Sequence, residues 1–345
     1  MSGTSLDGID LALVTFNYNG HWSFEINKAE TISYSKEWLM ELKHLVNQSK
    51  ESLKNLDVRY TKYLAKIIEE FIAKYDIENI DAICSHGHTA LHQPEYKLTY
   101  QIGNLPELAR QLKETVVCDF RAQDVELNGQ GAPLVPIGDQ LLFEEYEYCI
   151  NFGGFANVST TIDFKRVAFD ICPMNIVLNK YVSALGQAYD DRGIIASQGM
   201  MHLKLLEELN GLEFYKENYP KSLGLEWVNE VIFPLIDSFD LSLRDVLRTF
   251  VEHIAIQISN VINEKNKVSI LITGGGVYND FLMKRIEALS SNEIIIPTKD
   301  IIEFKEALIF GFLGILKLRG ENNCLSSVTG AARDHSSGKI FSFNI

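Results

Sequence analysis

The chain has 345 residues, 46% of them hydrophobic and 23% charged, with a formal net charge of −14. That is the composition of an ordinary globular protein, long enough for two domains with cores of their own. The surplus of carboxylates leaves no basic stripe for nucleic acid or an anionic membrane surface, although a phosphorylated small molecule needs only a local pocket.

The first stretch, MSGTSLDGIDLALVTF, sets Gly3, Thr4, Ser5, Asp7, Gly8 and Asp10 in a turn that runs into a β-branched strand over 9–16. Such a turn offers backbone N–H groups and hydroxyls to an anion, and its carboxylates can organise a hydrated cation. A turn at Tyr18, Asn19 and Gly20 and a strand over 22–26 complete a hairpin. The first lysine is Lys28, so no signal peptide is expected at the opening. The most apolar stretch, 307–316, is about half of the ~20 residues that span a bilayer.

Apolar residues at three- and four-residue spacing predict helices over 37–46 and 56–75. A buried strand over 80–84 ends in the polar run SHGHTALHQP, and 98–102 is another strand. Asn104 reads as an N-cap, with Pro106 in the first turn of a helix to about 113. A strand over 115–119 then feeds the loop DFRAQDVELNGQGAPLVP, whose segment 128–136 is the expected boundary between two halves.

The second half opens as the first does. Strands over 148–152 and 155–162 flank Gly153-Gly154, and a third strand covers 167–171. Helices are expected over 175–185, 200–209, 225–236 and 241–263. A strand over 268–273 leads into Gly274-Gly275-Gly276 and a helix from Asn279; a strand over 294–297 and an apolar helix over 303–318 follow. Cys84, Cys118, Cys149, Cys172 and Cys324 are far apart and form no CxxC pair, which suggests free thiols in a reducing compartment and a cytoplasmic protein.

Three loops carry the chemistry together. They are the opening GTSLDG turn, CINFGGFANVS with Gly153, Gly154, Asn157 and Ser159, and ILITGGGVYND, where glycines at a strand-to-helix junction let a ligand approach the backbone. There is no GxxxxGK[ST], and the triple glycine lacks the spacing of a dinucleotide fingerprint. The combination is similar to the plan of the actin-like ATPase and sugar-kinase superfamily, in which two glycine-turned hairpins grip the nucleotide phosphates and a later glycine-rich junction packs on the adenosine. Asp170, at the end of a strand and before Pro173, is the candidate base; its alternative is to cap the helix that begins at Asn175. His86, His88 and His92 suggest a metal site at first sight, but no carboxylate or Cys stands beside them at ligand spacing, so a substrate-contacting loop is the better reading. Arg121 can hold anionic or hydroxylated substrate atoms with its two-pronged fork, or be a surface Arg. Trp227 and 309–316 read as core.

At these residues the chain resembles the anhydro-N-acetylmuramic acid kinase family. The matching stretches are MSGTSLDGID, SHGHTALHQP, YQIGN, VCDFRAQDV, NGQGAPLVP, INFGGFANVS, AFDICPMN, YPKSLGLEW, LITGGGVYNDFLMKRI, EALIFGFLG and SSVTGA, in the family's order from Met1 to about Ala332. The resemblance implies an α/β, two-domain actin-like ATPase (ribonuclease H-like) fold with mixed sheets flanked by helices. Residues 1–136 with about 319–345 would form one domain and 137–318 the other. It implies ATP-dependent opening of the 1,6-anhydro ring and phosphorylation of the freed 6-hydroxyl, giving N-acetylmuramic acid 6-phosphate in peptidoglycan recycling. Asp170 falls on the catalytic Asp. Gly3, Thr4, Ser5, Asp7, Gly8, Asp10, Gly153, Gly154, Asn157, Gly274, Gly275, Gly276 and Asn279 fall on the ATP side. Ser5, His86, His88, Thr89 and Arg121 fall with Asp170 on the sugar side. Mg²⁺ carried with ATP would use Asp7 and Asp10. The expected partners are ATP and the anhydro amino sugar, in a homodimer, with no nucleic acid and no membrane.

The chain departs from the family at several points. Around Asp170 it reads Ala168-Phe169-Asp170-Ile171-Cys172-Pro173-Met174-Asn175, where the family has Gly-Phe-Asp-Thr-Gly-Pro-Gly-Asn, so Cys172 and Met174 are expected to narrow the sugar pocket or alter its choice of sugar. His88 replaces a Gln, and Leu223 replaces a Thr in Lys221-Ser222-Leu223-Gly224. The chain starts at the opening turn itself, where relatives carry a strand leading in; an upstream start or a truncation is the expectation. Two other readings stay open at this point: a kinase of another amino sugar, and a nucleotide-binding regulator without catalysis.

Overall fold

The computed structural model describes residues 1–3 and 6–343. Among these the strands are, in chain order, β1 (Ile9–Tyr18), β2 (Trp22–Ile32), β3 (Ile83–Ser85), β4 (His88–Gln93), β5 (Leu98–Ile102), β6 (Val116–Cys118), β7 (Tyr148–Phe152), β8 (Phe155–Ile162), β9 (Lys165–Pro173), β10 (Ser269–Thr273), β11 (Glu293–Ile295) and β12 (Lys339–Phe341). The chain forms two units, Met1–Leu142 with Phe304–Ile345, and Phe143–Glu303.

In the Phe143–Glu303 unit one sheet has the order β11-β10-β7-β8-β9. Strand β10 is parallel to β7 and β11, while β8 runs antiparallel to both β7 and β9. Tight turns produce the β7-β8-β9 meander, and a long helical crossover is needed before β10 can pair parallel to β7. This is the ribonuclease H-like arrangement. Tyr148, Cys149, Ile150 and Phe152 on β7, and Ile270 to Thr273 on β10, are buried, as central parallel strands covered on both faces must be. The helix Leu243–Ile262 starts at Ser242, whose hydroxyl accepts from the Asp245 N–H, and lays Val246, Phe250, Ile254, Ile258 and Ile262 into the same core. Each such side chain stabilises the fold by roughly 1.5–3 kcal/mol relative to exposure.

The β8–β9 hairpin positions the catalytic candidate. Asp163 and Phe164 both take positive φ, +49° and +63°, the backbone of a two-residue hairpin turn. From that turn the register pairs Val158 with Phe169 and Asn157 with Asp170, then shifts so that Ala156 meets Cys172. Ile171 is therefore a bulge residue, and it breaks the two-residue alternation of side chains beside Asp170.

In the other unit β1 and β2 form an antiparallel ribbon, β4 and β5 a second hairpin, and β12-β6-β3 a three-stranded sheet with β3 parallel and β12 antiparallel to β6. The two halves thus share an opening hairpin without repeating each other strand for strand. The expected division at residue 318 and the observed one differ because the unit boundary falls inside the helix Lys299–Leu318. From Phe304 onward its residues pack in the unit that holds the chain's beginning: Phe312 lies 5.5 Å from the Phe16 ring and 5.0 Å from Trp22. Among the described residues no helix is long and apolar enough to cross a membrane. All five cysteines are free thiols.

Candidate active site

Of the opening turn, Thr4 and Ser5 lie outside the described residues. Gly3 accepts a hydrogen bond from Leu6 at 3.3 Å, and Leu6 takes a left-handed φ of +62° to turn the chain. Asp7 is exposed and Gly8 buried. Asp10 stands opposite Thr31 in the β1–β2 ribbon, and the Thr31 hydroxyl donates to Asp10 Oδ1 at 2.6 Å. Asp7 and Asp10 thus offer oxygen donors of the kind a hard cation takes, directly or through water, and they fit Mg²⁺ carried with a nucleotide.

The histidine run folds into β4 and the turn before it, a strand hidden in the sequence by its polar residues. His86 is buried; its Nδ1 donates to the Gly87 carbonyl at 2.9 Å, and its Nε2 accepts from Arg121 Nε at 2.9 Å. Loss of hydration, then the Arg121 charge, hold its pKa well below the ordinary value, so the ring is neutral and the lone pair on Nε2 is available to Arg121. Arg121 also donates from Nη1 to the Gly131 carbonyl at 2.7 Å, and its guanidinium lies over the Phe310 ring. These bonds hold the fork in place rather than leaving it as a loose surface Arg. His88 is buried with Nδ1 2.7 Å from the Ser2 hydroxyl, and burial lowers its pKa to about 4. His92 pairs instead with Thr99 at 3.1 Å. Each of the three rings bonds a different partner. Thr89 is half-buried on β4 opposite Gln101. Asn104 does not cap a helix: its amide donates to the His86 carbonyl at 3.2 Å and accepts from Ser85, fastening the histidine turn.

In the Phe143–Glu303 unit, the Gly153 and Gly154 carbonyls accept from Asn175 and from Met174 and Ile176 at the start of the helix Asn175–Ser183. The triple glycine packs against this turn. Gly274 has φ +86°, and a Cβ there would stand 2.8 Å from the Phe152 carbonyl oxygen; a Cβ on Gly276 would collide with Met174 Cε and stand 2.8 Å from Phe152 Cβ. Gly275, between them, has open space where a Cβ would be, so its backbone is the approachable one. Asn279 caps the helix Asp280–Leu289, accepting from Leu282 N–H at 3.0 Å, so its side-chain oxygen is committed to the fold. Asn157 is half-buried opposite Asn151 on one side and Asp170 on the other.

Cys172 and Met174 were expected to shape the sugar pocket. Instead both are fully buried in the core of this unit, with Met174 filling the space that Gly276 leaves. The bulge at Ile171 turns this segment inward, which accounts for large apolar side chains there.

Asp170 lies within β9, which runs on to Pro173. It does not cap the helix at Asn175, whose N-cap position is Met174 without a side-chain bond. Its backbone N–H donates to the Lys221 carbonyl at 3.1 Å, and its Oδ2 accepts from the Leu223 N–H at 2.7 Å. Burial raises its pKa above the ordinary carboxylate value, with the Leu223 bond opposing. A half-buried carboxylate with one oxygen fixed is a proton acceptor of the right kind.

Several residues escaped the sequence reading. Lys221 and Leu223 act through backbone atoms, which carry no signature; Lys221 Nζ is turned to the Phe214 carbonyl at 3.1 Å. Asp124 is completely buried and takes the Gly131 N–H at 2.7 Å, shaping the loop that Arg121 grips. Glu306, inside the stretch EALIFGFLG, keeps solvent contact yet is crowded by protein. Loss of hydration raises its pKa, Arg121 opposes that rise, and Asp10 adds to it.

The sheet order β11-β10-β7-β8-β9 with its glycine turns is that of the ribonuclease H-like, actin-like class of α/β fold. The chain belongs to the anhydro-N-acetylmuramic acid kinase family, whose profile matches residues 1–343. It is 33% identical to the anhydro-N-acetylmuramic acid kinase of Mannheimia succiniciproducens over 99% of this chain and 97% of that protein. It is 31% identical to the enzyme of the same name from Sulfurimonas denitrificans over 99% of this chain and 98% of that protein. Among solved structures, a ROK family glucokinase from Streptomyces griseus matches over 83% of this chain and 94% of its own, at 10% identity and a TM-score of 0.35, a likeness too slight to bear on function.

Proposed function

We propose that this chain carries out its family's reaction, the ATP-dependent hydrolytic opening and phosphorylation of 1,6-anhydro-N-acetylmuramic acid, with Asp170 as the catalytic carboxylate. The observation that carries the assignment is the Asp170 carboxylate, raised in pKa by burial and fixed through Oδ2 by the Leu223 N–H.

Asp170 takes a proton from water. The water oxygen bonds to the anomeric carbon, and the bond from that carbon to the bridging oxygen breaks. That oxygen, the former 6-position ether, takes the γ-phosphoryl group, giving N-acetylmuramic acid 6-phosphate and ADP. A base is worth about 10²–10⁴-fold when it is held within hydrogen-bond reach, and backbone fixation limits the ways Asp170 can turn from that geometry. Gly3 to Asp10, Gly153-Gly154 and Gly274 to Gly276 serve the nucleotide, Gly275 by its open backbone. Arg121, held by His86 and the Gly131 carbonyl, serves the hydroxyls and carboxylate of the sugar, and Thr89 is a second sugar-side residue on the family resemblance. Mg²⁺, bound with ATP at Asp7 and Asp10, would neutralise phosphate charge. The same reading makes the protein a cytoplasmic homodimer acting in cell-wall recycling.

The test is incubation with ATP, Mg²⁺ and the anhydro sugar, with the product read by mass spectrometry and phosphorus NMR. A 6-phosphate containing one oxygen from labelled water is the expected product. Turnover only with another amino sugar, or ATP binding with no turnover on any sugar, would overturn the assignment.

A further inference from the structure

Next to the Arg121 loop, the segment around Cys324 and His335 closes on Asp124. Cys324 and His335 face each other in a two-way backbone bridge: Cys324 N–H donates to the His335 carbonyl at 3.1 Å and His335 N–H to the Cys324 carbonyl at 3.2 Å. Asp124, Cys324 and His335 are all buried, and one donor atom from each lies within 4.8 Å of the others. His335 is 4% exposed, and its Nε2 has no hydrogen-bond partner among the described residues.

The tautomer makes that orphan informative. His335 Nδ1 lies 3.1 Å from the Arg333 carbonyl, which can only accept, so Nδ1 carries the proton and a neutral ring turns a bare lone pair on Nε2 inward. What that lone pair faces is Asp124 Oδ1 at 3.6 Å, another acceptor, too far for a hydrogen bond. Two buried acceptors aimed at each other need a positive charge between them. Asp124 is already held in that pose, Oδ1 by the Thr329 hydroxyl and Oδ2 by the Gly131 N–H, each at 2.7 Å. A backbone carbonyl behind the histidine and donors behind the carboxylate are the outer shell that orients metal ligands.

We propose that Asp124 Oδ1, Cys324 Sγ and His335 Nε2 bind a structural Zn²⁺ ion that fastens the C-terminal segment to the Arg121 loop. Bonds of ~2.0 Å to N and O and ~2.3 Å to S place tetrahedral ligand atoms about 3.3–3.6 Å apart. The His335–Asp124 separation of 3.6 Å needs only a slight closing to reach the N–O end of that range, and the thiol, within 4.8 Å of both, closes by a side-chain movement. The mixed S, N, O set favours zinc over magnesium or calcium. Binding replaces the Cys324 thiol proton, which leaves to solvent, so the ion with one thiolate, one carboxylate and a neutral imidazole forms a site of zero net charge. A water takes the fourth position, because no fourth protein donor belongs to the cluster among the described residues. Through Asp124 the ion would stiffen Gly131, whose carbonyl holds Arg121.

Elemental analysis tests this on the full chain, expressed with zinc, stripped with a chelator and then reloaded with Zn²⁺ alone. About one equivalent per chain is expected before stripping and after reloading, and Cys324→Ala and His335→Ala should each lower it at least tenfold. Because either variant can fail to fold, the stripped wild-type chain is also loaded with Co²⁺. A thiolate-to-cobalt charge-transfer band in the near ultraviolet supports the site. Less than about a tenth of an equivalent in reloaded wild type, zinc content unchanged in folded variants, or cobalt bound without the thiolate band would each overturn the proposal. The first of these outcomes leaves a proton shared by His335 and Asp124.

Discussion

The backbone N–H of Leu223 donates to Asp170 Oδ2 at 2.7 Å while the Lys221 carbonyl takes the Asp170 N–H at 3.1 Å. A loop whose side chains differ from the family's thus grips the Asp170 carboxylate through a backbone N–H that every residue except proline possesses.

Asp170→Asn should lose product formation by about 10²–10⁴-fold and keep ATP binding, as read by calorimetry. It should also be more stable than the parent at neutral pH. The raised pKa of Asp170 means that the protonated form favours the folded state. Its stability contribution is therefore complete below the unfolded value of ~3.9 and lost as pH rises through the folded value. Thermal midpoints should favour the Asn variant at pH 7 and converge toward pH 4. A less stable variant at pH 7, or near-normal turnover, would contradict the role.

Leu223→Pro removes the N–H that lowers the Asp170 pKa, whereas Leu223→Ala keeps it. The acidic limb of the kcat/KM profile should move to higher pH in the Pro variant and stay in place in the Ala variant. Equal profiles would show that the 2.7 Å bond does not tune the base.

Gly276→Ala should destabilise the fold by about 1–3 kcal/mol through overpacking on Met174 and Phe152. Shortening the neighbour as well, as Met174→Ala with Gly276→Ala, should recover part of that loss, which a double-mutant cycle reads as coupling. Gly275→Ala has room and should fold normally while raising the KM for ATP. An unchanged KM would place the nucleotide elsewhere.

Arg121→Lys replaces a fork that bonds both His86 and Gly131 by a single point charge. The KM for the sugar should rise at least about tenfold, the size of one lost charge-assisted bond, with the KM for ATP little changed. Equal changes in both would assign Arg121 to the nucleotide.

Burial lowers the His253 pKa to about 3, and its ring bonds Asn210 at 2.7 Å and Tyr215 at 2.9 Å. The neutral ring favours the folded state, so its contribution is complete above the unfolded value of ~6.5 and lost as pH falls toward the folded one. His253→Gln should flatten the fall in thermal midpoint between about pH 6.5 and 4. An unchanged slope would mean that other groups, such as His88, carry the acid sensitivity.

The legibility of this chain divides along physical lines. The strands of the Phe143–Glu303 sheet were readable because β7 and β10 are mostly apolar runs and the β7–β8 turn is a pair of glycines. β4 was not, because His88, His92 and Gln93 mask the alternation of an otherwise ordinary hairpin strand. Asn104 had the look of a helix cap and is instead tied to His86, a choice between two donors that local sequence cannot make.

From sequence alone came the family, the glycine turns, Asp170, and the histidine and arginine loops, all of which are set by residue type and order along the chain. Tertiary structure alone decided how those residues are held. The Ile171 bulge shifts a register and sends Cys172 and Met174 into the core; Leu223 reaches Asp170 across 53 positions of chain. Thr329 and His335 reach Asp124 from the far end of the sequence. Backbone bonds and long-range contacts depend on which segments meet, and short-range pattern carries no record of that.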